Sequence, residues 1–479
     1  MLKLKTRSKS TNGQSVDAAA VDDLARAFHG EVISRGDDDY DEARAIWNGM
    51  IDKEPAAIAR CRNTADVVTA LAFARENNAP FSVRGGGHNV AGHALCEDGL
   101  VIDLSQMKGV HVDAPAQTAR AQPGANLGDL DRETQLFDLA TPTGIVSKTG
   151  LAGLTLGGGF GWLTRQYGYT ADNLRSAEVV TADGRVVQAS EEQNADLFWG
   201  IRGGGGNFGI VTSFEYRLHP VGPIVLGGVL LHPLEQASKL LRFYRAFTAG
   251  APREMGSLFV MRLAPPAPFL PEELHGKPIC GLIVCYAGDL EEGERLLRPL
   301  REFGNPLADK IERRPYLAVQ SMLDQGQVEG NQYYWKSEYL PGLRDEAIET
   351  LVTYGATLQS PLARVLMMQL GGAVRDRDEM TMAASHRDAE FVLAINNGWR
   401  DLRENEEQIQ WTRDFWTAVR PFSTGGSYVN FLTADEGQKR VRAAYGEEKY
   451  RRLVKIKNKY DPANLFRHNQ NIQPSEAAT

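Results

Sequence analysis

The sequence has few cysteines, no long apolar run and no excess of positive charge, and each absence excludes a class of protein. Four cysteines among 479 residues, with neither CxxC spacing nor high density, exclude a disulfide-stabilised scaffold. No stretch approaches the roughly 18 uninterrupted apolar residues of a spanning helix, and the polar first 15 residues predict no secretory signal. The net charge of −8 disfavours nucleic acid and anionic membranes as partners. We therefore expect a cytoplasmic enzyme that acts on a small molecule, as a monomer or homodimer.

Local patterns predict a mixture of helices and strands. Asn63 or Thr64 is expected to cap the helix TADVVTALAFARENN, which follows the short strand PAAIARC. The Asp183–Gly184 pair predicts a hairpin turn within SAEVVTADGRVVQA. At HPVGPIV the composition changes, and helices then alternate with strands to about residue 424. The chain is too long for one core, so this middle segment is predicted to be a separate substrate domain with an open sheet.

Three glycine-rich loops are the most informative motifs. RGGGHN spans residues 84–89, GIVSKTGLAGLTLGGGFG spans 144–161, and GGGGNFG spans 203–209. Glycines that adopt positive φ angles present backbone N–H groups to an anion, although each loop alone is also typical of tight turns. The third loop contains GxGxxG but precedes a strand, IVTSFEYRL, instead of opening a helix, so NAD binding is not expected.

Taken together, these loops resemble the FAD-binding domain of the vanillyl-alcohol oxidase superfamily, and within it the berberine-bridge-enzyme-like FAD-linked oxidases. The resemblance continues in SYVNF, residues 427–431, and in the C-terminal HNQNI. It implies an α+β fold: a PCMH-type FAD-binding domain over 1–221, and a substrate domain with an open antiparallel sheet covered by helices over 222–424. Residues 425–479 would return to the FAD domain.

The resemblance implies that His88 of RGGGHN is bonded covalently to the flavin 8α-methyl group. A hydrogen bond without covalency is the alternative for this residue. A metal site is not expected, because His88 and His93 have no third ligand nearby and lie in a glycine loop. Further FAD contacts implied by the resemblance are Arg84, Gly85, Gly86, Gly87, Asn89, Gly92, Thr149, Gly150, Gly153, Leu154, Gly157, Gly158, Asn207, Gly209, Val211, Asn469 and Asn471.

The sequence departs from the family at positions that bear on chemistry. Val146 occupies the place of a Cys that bonds the flavin a second time in many relatives, so a single attachment is expected. Thr149 stands where a small residue favours reaction with oxygen. Val90, Phe160 and Ala394 replace more polar residues of the substrate pocket, which predicts a largely apolar substrate because hydroxyls would be buried without partners.

Tyr428 and Asn430 are the candidate catalytic residues. Alternation along SYVNF predicts a strand with both side chains on one face, and an ordinary buried pair is the alternative. Tyr428 is the candidate base, but a phenol titrates near 10, so this role requires a nearby cation or a lowered pKa. An amine substrate needs no strong base.

The resulting hypothesis is an FAD-dependent oxidase. It would abstract hydride from a C–H next to N or O of a small apolar or heterocyclic substrate, with O2 as acceptor and H2O2 as product. The resemblance to bacterial hydroxynicotine oxidases favours a heterocyclic amine or alcohol. The alternatives are a carbohydrate or oligosaccharide oxidase, a dehydrogenase that uses another acceptor, and a flavin-binding module without turnover.

Overall fold

The computed structural model describes residues 16–475, in which three main β-sheets surround one large cavity. Helices cover the outer faces of the sheets and none of those described combines the length and apolarity needed to cross a membrane. The helices are α1 (Ala18–Ala27), α2 (Tyr40–Arg44), α3 (Thr64–Glu76), α4 (Leu127–Thr134), α5 (Leu151–Leu156), α6 (Thr164–Tyr167), α7 (Ala195–Ile201), α8 (Ala237–Ala249), α9 (Leu290–Arg301), α10 (Tyr316–Gln320), α11 (Asp345–Gly355), α12 (Asn405–Val419), α13 (Gln438–Tyr445) and α14 (Glu447–Tyr460).

The first sheet is small and mostly parallel. Its strands are β1 (Glu31–Ser34), β2 (Ala57–Arg60), β3 (Phe81–Arg84) and β4 (Leu100–Asp103), in the spatial order β1-β2-β4-β3. Helix α3 connects β2 to β3 and begins as predicted, because the Asn63 side chain accepts a hydrogen bond from the Asp66 amide. The RGGGHN loop follows the end of β3 directly.

The second sheet is antiparallel, and the third glycine loop leads directly into one of its strands. The next strands are β5 (Val110–Asp113), β6 (Thr118–Ala121), β7 (Leu139–Ala140), β8 (Leu174–Val180), β9 (Val186–Ser190), β10 (Ile210–Arg217) and β11 (His219–Pro220). Five of them have the order β5-β6-β10-β8-β9, while β7 pairs with β11. The predicted hairpin is confirmed: Asp183 and Gly184 lie between β8 and β9, and Gly184 has a φ of +85°.

The third sheet is antiparallel and has eight strands. They are β12 (Ile224–Pro233), β13 (Met255–Leu263), β14 (Pro278–Tyr286), β15 (Ala308–Asp309), β16 (Glu312–Pro315), β17 (Gln332–Leu340), β18 (Arg364–Gln369) and β19 (Phe391–Trp399). Their order is β15-β12-β14-β13-β18-β19-β17, with β16 also paired to β12. Helices α8, α9, α11 and α12 pack on one face, and the opposite face borders the cavity. An α+β fold with an open antiparallel sheet covered by helices is confirmed.

The C-terminal helices lie against the second sheet. Residues of α13 and α14 share a buried core with β8, β10 and α7. The chain thus leaves the third sheet and comes back to the glycine loops, which places residues 466–470 at the cavity.

Candidate active site

One cavity of about 970 Å³ separates the glycine loops from the third sheet. The loops form a wall of backbone, and strands β12, β13, β14, β18 and β19 form a wall of side chains. Its apolar bulk with a few polar groups is typical of a small-molecule site. The predicted site residues that line it are Gly85, Gly86, Gly87, His88, Asn89, Thr149, Gly150, Gly153, Leu154, Phe160, Asn207, Gly209, Val211, Ala394, Tyr428, Asn430 and Asn469.

The first and second glycine loops touch backbone to backbone. A Cβ added to Gly86 would lie 2.4 Å from the Cα of Gly150, and one added to Gly150 would lie 2.6 Å from the Cα of Gly86. Non-bonded carbon atoms this close would clash, so only glycine permits the two backbones to lie against each other. The result is a narrow cradle of backbone without side chains, which suits the close approach of a cofactor.

The His88 imidazole lies at the cavity with one ring nitrogen unbonded. Its Nε2 atom is buried and makes no hydrogen bond to any residue of the described chain. Burial lowers the pKa of its imidazole to about 4, so the ring is neutral at pH 7 and keeps a lone pair. The indole of Trp47 stacks on this ring with centroids 4.4 Å apart.

Sequence reasoning missed the aromatic group behind His88. Trp47 stacks on Tyr333, with centroids 3.9 Å apart, and meets Trp335 edge to face. These rings come from a segment after α2 and from β17, almost 290 residues later. No local pattern marks Trp47 as a site residue, because its role depends on a contact between distant parts of the chain. The stack fixes the imidazole plane at the edge of the cavity.

The third glycine loop is held by the C-terminal segment. The Asn207 side chain donates to the carbonyl of Gly204 and accepts from the amide of Ile472, at 2.8 and 2.9 Å. Lys457, which is fully buried, donates to the carbonyl of Asn207 and to Asp461. Asn207 therefore braces the loop through its amide, besides lining the cavity. Asn469 donates to the carbonyl of Gly206, and its buried Oδ1 has no hydrogen-bond partner among residues 16–475.

Tyr428 and Asn430 lie together, but not on a strand. Residues Val429–Phe431 form a 3-10 turn, so the predicted alternation is wrong; the turn lets Asn430 Nδ2 donate to both Tyr428 Oη and the carbonyl of Gly153. Tyr428 Oη also accepts from the Gly159 amide, at 3.2 Å. Both donors are uncharged, and burial raises the pKa of Tyr428 to about 12. The electrostatics therefore argue against Tyr428 as a base and make its O–H a donor.

Several residues expected at the cofactor do not line the cavity. Arg84 is buried in an ion pair with Asp103, at 2.6 Å, and donates to the carbonyl of Ala43, so its guanidinium is already occupied. Val90 packs on the aromatic group of Trp47, Tyr333 and Trp335 instead of facing the substrate pocket. Both residues support the loop from behind.

The remaining residues outside the cavity lining are Gly92, Gly157, Gly158 and Asn471. Gly157 leaves room for Asn430, since an added Cβ would lie 2.2 Å from its amide nitrogen. Gly92 has a φ of +72° and lies against Ile51, and Gly158 has a φ of +110°. Their glycine is required by close packing and backbone conformation. Asn471 keeps an unpartnered buried Oδ1.

The residues present fit FAD. The cradle at Gly86 and Gly150 would be filled by any Cβ, while His88 Nε2 and Asn469 Oδ1 are buried groups without partners. Val146 lines the same cavity and carries no nucleophile, so His88 is the sole candidate of the two family attachment positions.

Comparison with known proteins agrees with this geometry. Residues 55–190 match a family model described as FAD binding domain, and residues 427–473 match one described as berberine and berberine like. The chain is 31% identical to an FAD-linked oxidoreductase of Dictyostelium discoideum, over 95% of this chain and 97% of that protein. It is 32% identical to (R)-6-hydroxynicotine oxidase of Paenarthrobacter nicotinovorans, over 94% of this chain and 97% of that protein.

A solved structure has the same fold. The crystal structure of 6-hydroxy-D-nicotine oxidase from Arthrobacter nicotinovorans superposes with a TM-score of 0.85 and 29% identity, covering 94% of this chain and 98% of that one. The likeness spans all three sheets, so the similarity includes both walls of the cavity.

Proposed function

The chain belongs to the berberine-bridge-like family of FAD-linked oxidoreductases, and from this membership we propose an oxidase that acts on a small, largely apolar or heterocyclic substrate. The substrate loses two electrons and two protons from a C–H and the neighbouring N or O, and O2 takes them up to become H2O2. The apolar part of the cavity face of the third sheet, formed by Leu366, Met368, Val392 and Ala394, is the observation that carries this proposal.

FAD, when bound, supplies the hydride acceptor for such a reaction. The glycine cradle around Gly86 and Gly150 would hold it by backbone N–H groups, and Asn469 Oδ1 offers an acceptor. His88 would carry the single covalent attachment, because its neutral imidazole retains a lone pair and Val146 replaces the second attachment residue. Thr149 at the cavity supports O2 as the acceptor, by the family pattern.

The substrate is proposed to lie on the third sheet, facing the glycine loops. The part of this face formed by Leu366, Met368, Val392 and Ala394 has no hydrogen-bonding side chain, so it suits an apolar body and disfavours a polyol. Tyr428 stays protonated, because burial raises its pKa to about 12, and its oxygen accepts from Asn430 Nδ2. Its O–H is therefore assigned to orient a substrate N or O instead of removing its proton. As the group that is oxidised, a neutral amine fits best, because its own lone pair assists loss of hydride and no strong base is required.

The first test is an absorbance spectrum of the purified protein before and after acid precipitation. Flavin colour that stays with the pellet, and a flavin-sized mass on the fragment containing His88, are the expected results. The variant His88→Ala should release the colour, whereas His93→Ala, at the same cavity, should retain it. Colour in the supernatant of the unmodified protein would contradict the covalent bond.

A second test addresses the acceptor. After chemical or substrate reduction under nitrogen, admission of air should restore the flavin spectrum within seconds and release peroxide in equal amount. Slow recovery in air, with rapid recovery by an added quinone or dye, would show a dehydrogenase instead. A candidate amine should bleach the flavin before air is admitted; a protein that no substrate class bleaches would be a flavin carrier.

A further inference from the structure

Two arginines lie side by side on the cavity face of the third sheet. Arg262 on β13 and Arg364 on β18 are direct partners in the antiparallel register, and Asn396 on β19 is the next residue across. All three line the cavity. Like charges directly opposite one another destabilise a sheet, so this pair needs a compensating interaction.

Neither guanidinium has an acidic partner. Arg364 is only 4% exposed, its Nε is buried without a partner, and within residues 16–475 its guanidinium makes no hydrogen bond or ion pair. Arg262 donates only from Nε, to the carbonyl of the adjacent Leu263. No Asp or Glu is among the described residues that line the cavity. Burial and the charge of Arg262 lower the pKa of Arg364 to about 10, so Arg364 stays charged at pH 7. Burial also lowers the pKa of Arg262 from its usual value.

A third arginine at the cavity has an acidic partner. Arg314 lines the same cavity but is paired with Glu312, at 2.6 Å, on the exposed side. Burying a charge without a partner is costly, and proteins generally provide a counter-ion or a ligand. The Arg364 guanidinium is also closely held, since a Cβ on Gly326 would lie 2.4 Å from its Nη2. Its position is thus set by packing before any ligand arrives.

We propose that Arg262 and Arg364 bind a carboxylate of the substrate, which is therefore a small anion with an apolar body. This inference rests on the proposed function, because it names the class of substrate for the same cavity. Two guanidinium forks match the planar oxygens of a carboxylate, and the Nδ2 amide of Asn396, which also lines the cavity, is a further donor for them.

The sheet places the apolar body of this substrate next to the arginines. Residues two positions along each strand share the cavity face, about 7 Å away. There Val260, Leu366 and Ala394 form the neighbouring row, followed by Leu258, Met368 and Val392. Ala394 pairs with Ser337, whose hydroxyl bonds Ser427, the residue before Tyr428. A ring that extends from the carboxylate therefore points along the sheet toward Tyr428.

Calorimetric titration of the purified holoprotein tests this assignment without turnover. The probes are benzoate and benzamide, which share shape and differ in charge. Benzoate should bind about tenfold more tightly or better, because hydrogen bonds to charged groups are stronger than neutral ones. This preference should be lost in Arg364→Gln and in Arg262→Gln, and should persist in the matched variant Arg314→Gln.

Three results would overturn the proposal. They are equal binding of the two probes, an equal loss of preference in Arg314→Gln, and tighter binding of phenyl phosphate than of benzoate. The proposed function is judged separately. If benzoate binding depends on Arg364 and no substrate bleaches the flavin, the oxidase fails and the anion site stands. If a neutral amine is oxidised equally well by Arg364→Gln and benzoate is not preferred, the oxidase stands and the anion site fails.

Discussion

Two buried cations on opposite sides of the cavity carry the same charge but differ in their hydrogen-bond partners. Lys457, behind the glycine loops, is fully buried and bonded to Asp461, to the Asn207 carbonyl and to the Phe466 carbonyl. Arg364, on the third sheet, is almost as buried and has no partner in the described chain. A cation with every hydrogen bond satisfied holds the fold together, whereas one left unsatisfied is available to a ligand.

The largest effect is expected from removal of Lys457. In Lys457→Met, Asp461 would remain buried without its counter-ion, and the free energy of unfolding should fall by about 3–5 kcal/mol. Chemical denaturation of the holoprotein measures this. The matched residue Lys459 lies on the same helix as Lys457 but is an exposed partner of Asp196. Lys459→Met should therefore lower the free energy of unfolding by at most about 1 kcal/mol. Equal losses of stability in the two variants would contradict this prediction, because burial would then not distinguish the two ion pairs.

A smaller loss is expected from closing the glycine cradle. Gly86→Ala would place a methyl group 2.4 Å from a backbone atom of Gly150, at a cost of about 1–3 kcal/mol, and should lower the flavin content of the purified protein. Gly250→Ala, after helix α8 and away from the cavity lining, meets no atom within 4 Å and should leave both the free energy of unfolding and the flavin content unchanged. An unchanged flavin-to-protein ratio in Gly86→Ala would contradict the cradle.

Two buried histidines predict that the stability of the protein depends on pH. Burial lowers the pKa values of His93 and His468, both at the cavity, to about 4, so the folded protein keeps them neutral while the unfolded chain protonates them near 6.5. The unfolded state then binds more protons between pH 6.5 and 4, and stability should fall as pH falls through that window. The slope is at most about 1.4 kcal/mol per pH unit for each histidine.

Denaturation of His468→Asn at pH 7 and pH 5 checks this dependence. The variant should lose less stability than the unmodified protein over the same interval. An identical slope would mean that His468 is charged or exposed in the folded protein, contrary to its burial.

The smallest effect on stability is expected at Arg364. Arg364→Gln removes an unpaired buried charge. Without any added anion, the free energy of unfolding should therefore fall by no more than about 0.5 kcal/mol, or should rise. A loss as large as that in Lys457→Met would show that Arg364 has a structural partner. This outcome would remove the contrast between the two cations.

Local sequence signals predicted much of the fold. The Asn63 cap, the Asp183–Gly184 hairpin and the strand after the third glycine loop were all predicted from patterns within a dozen residues. The strand assigned to Tyr428 and Asn430 was wrong. Five residues cannot distinguish a strand from a turn when the deciding contacts, with Gly153 and Gly159, lie some 270 residues earlier.

The site was predictable where chemistry is local and not where it depends on register. His88 and the glycines around it are adjacent in sequence, and they line the cavity together. Arg84 is adjacent too, yet its guanidinium pairs with Asp103, which no local pattern reveals. Trp47 and Tyr333 were missed because their stacking joins distant segments.

The family, the three glycine loops and the cofactor that they suit can be read from the residues alone, because glycine conformation and short turns depend on neighbouring residues. Which side chains face the cavity, and which lack partners among the described residues, depends on contacts between distant segments of the folded chain. Arg262 and Arg364 are about a hundred residues apart, and each alone is an ordinary charged residue of a strand. Their meaning comes from a strand register set by the core of the third sheet, which packs two like charges together and leaves their compensation to a ligand.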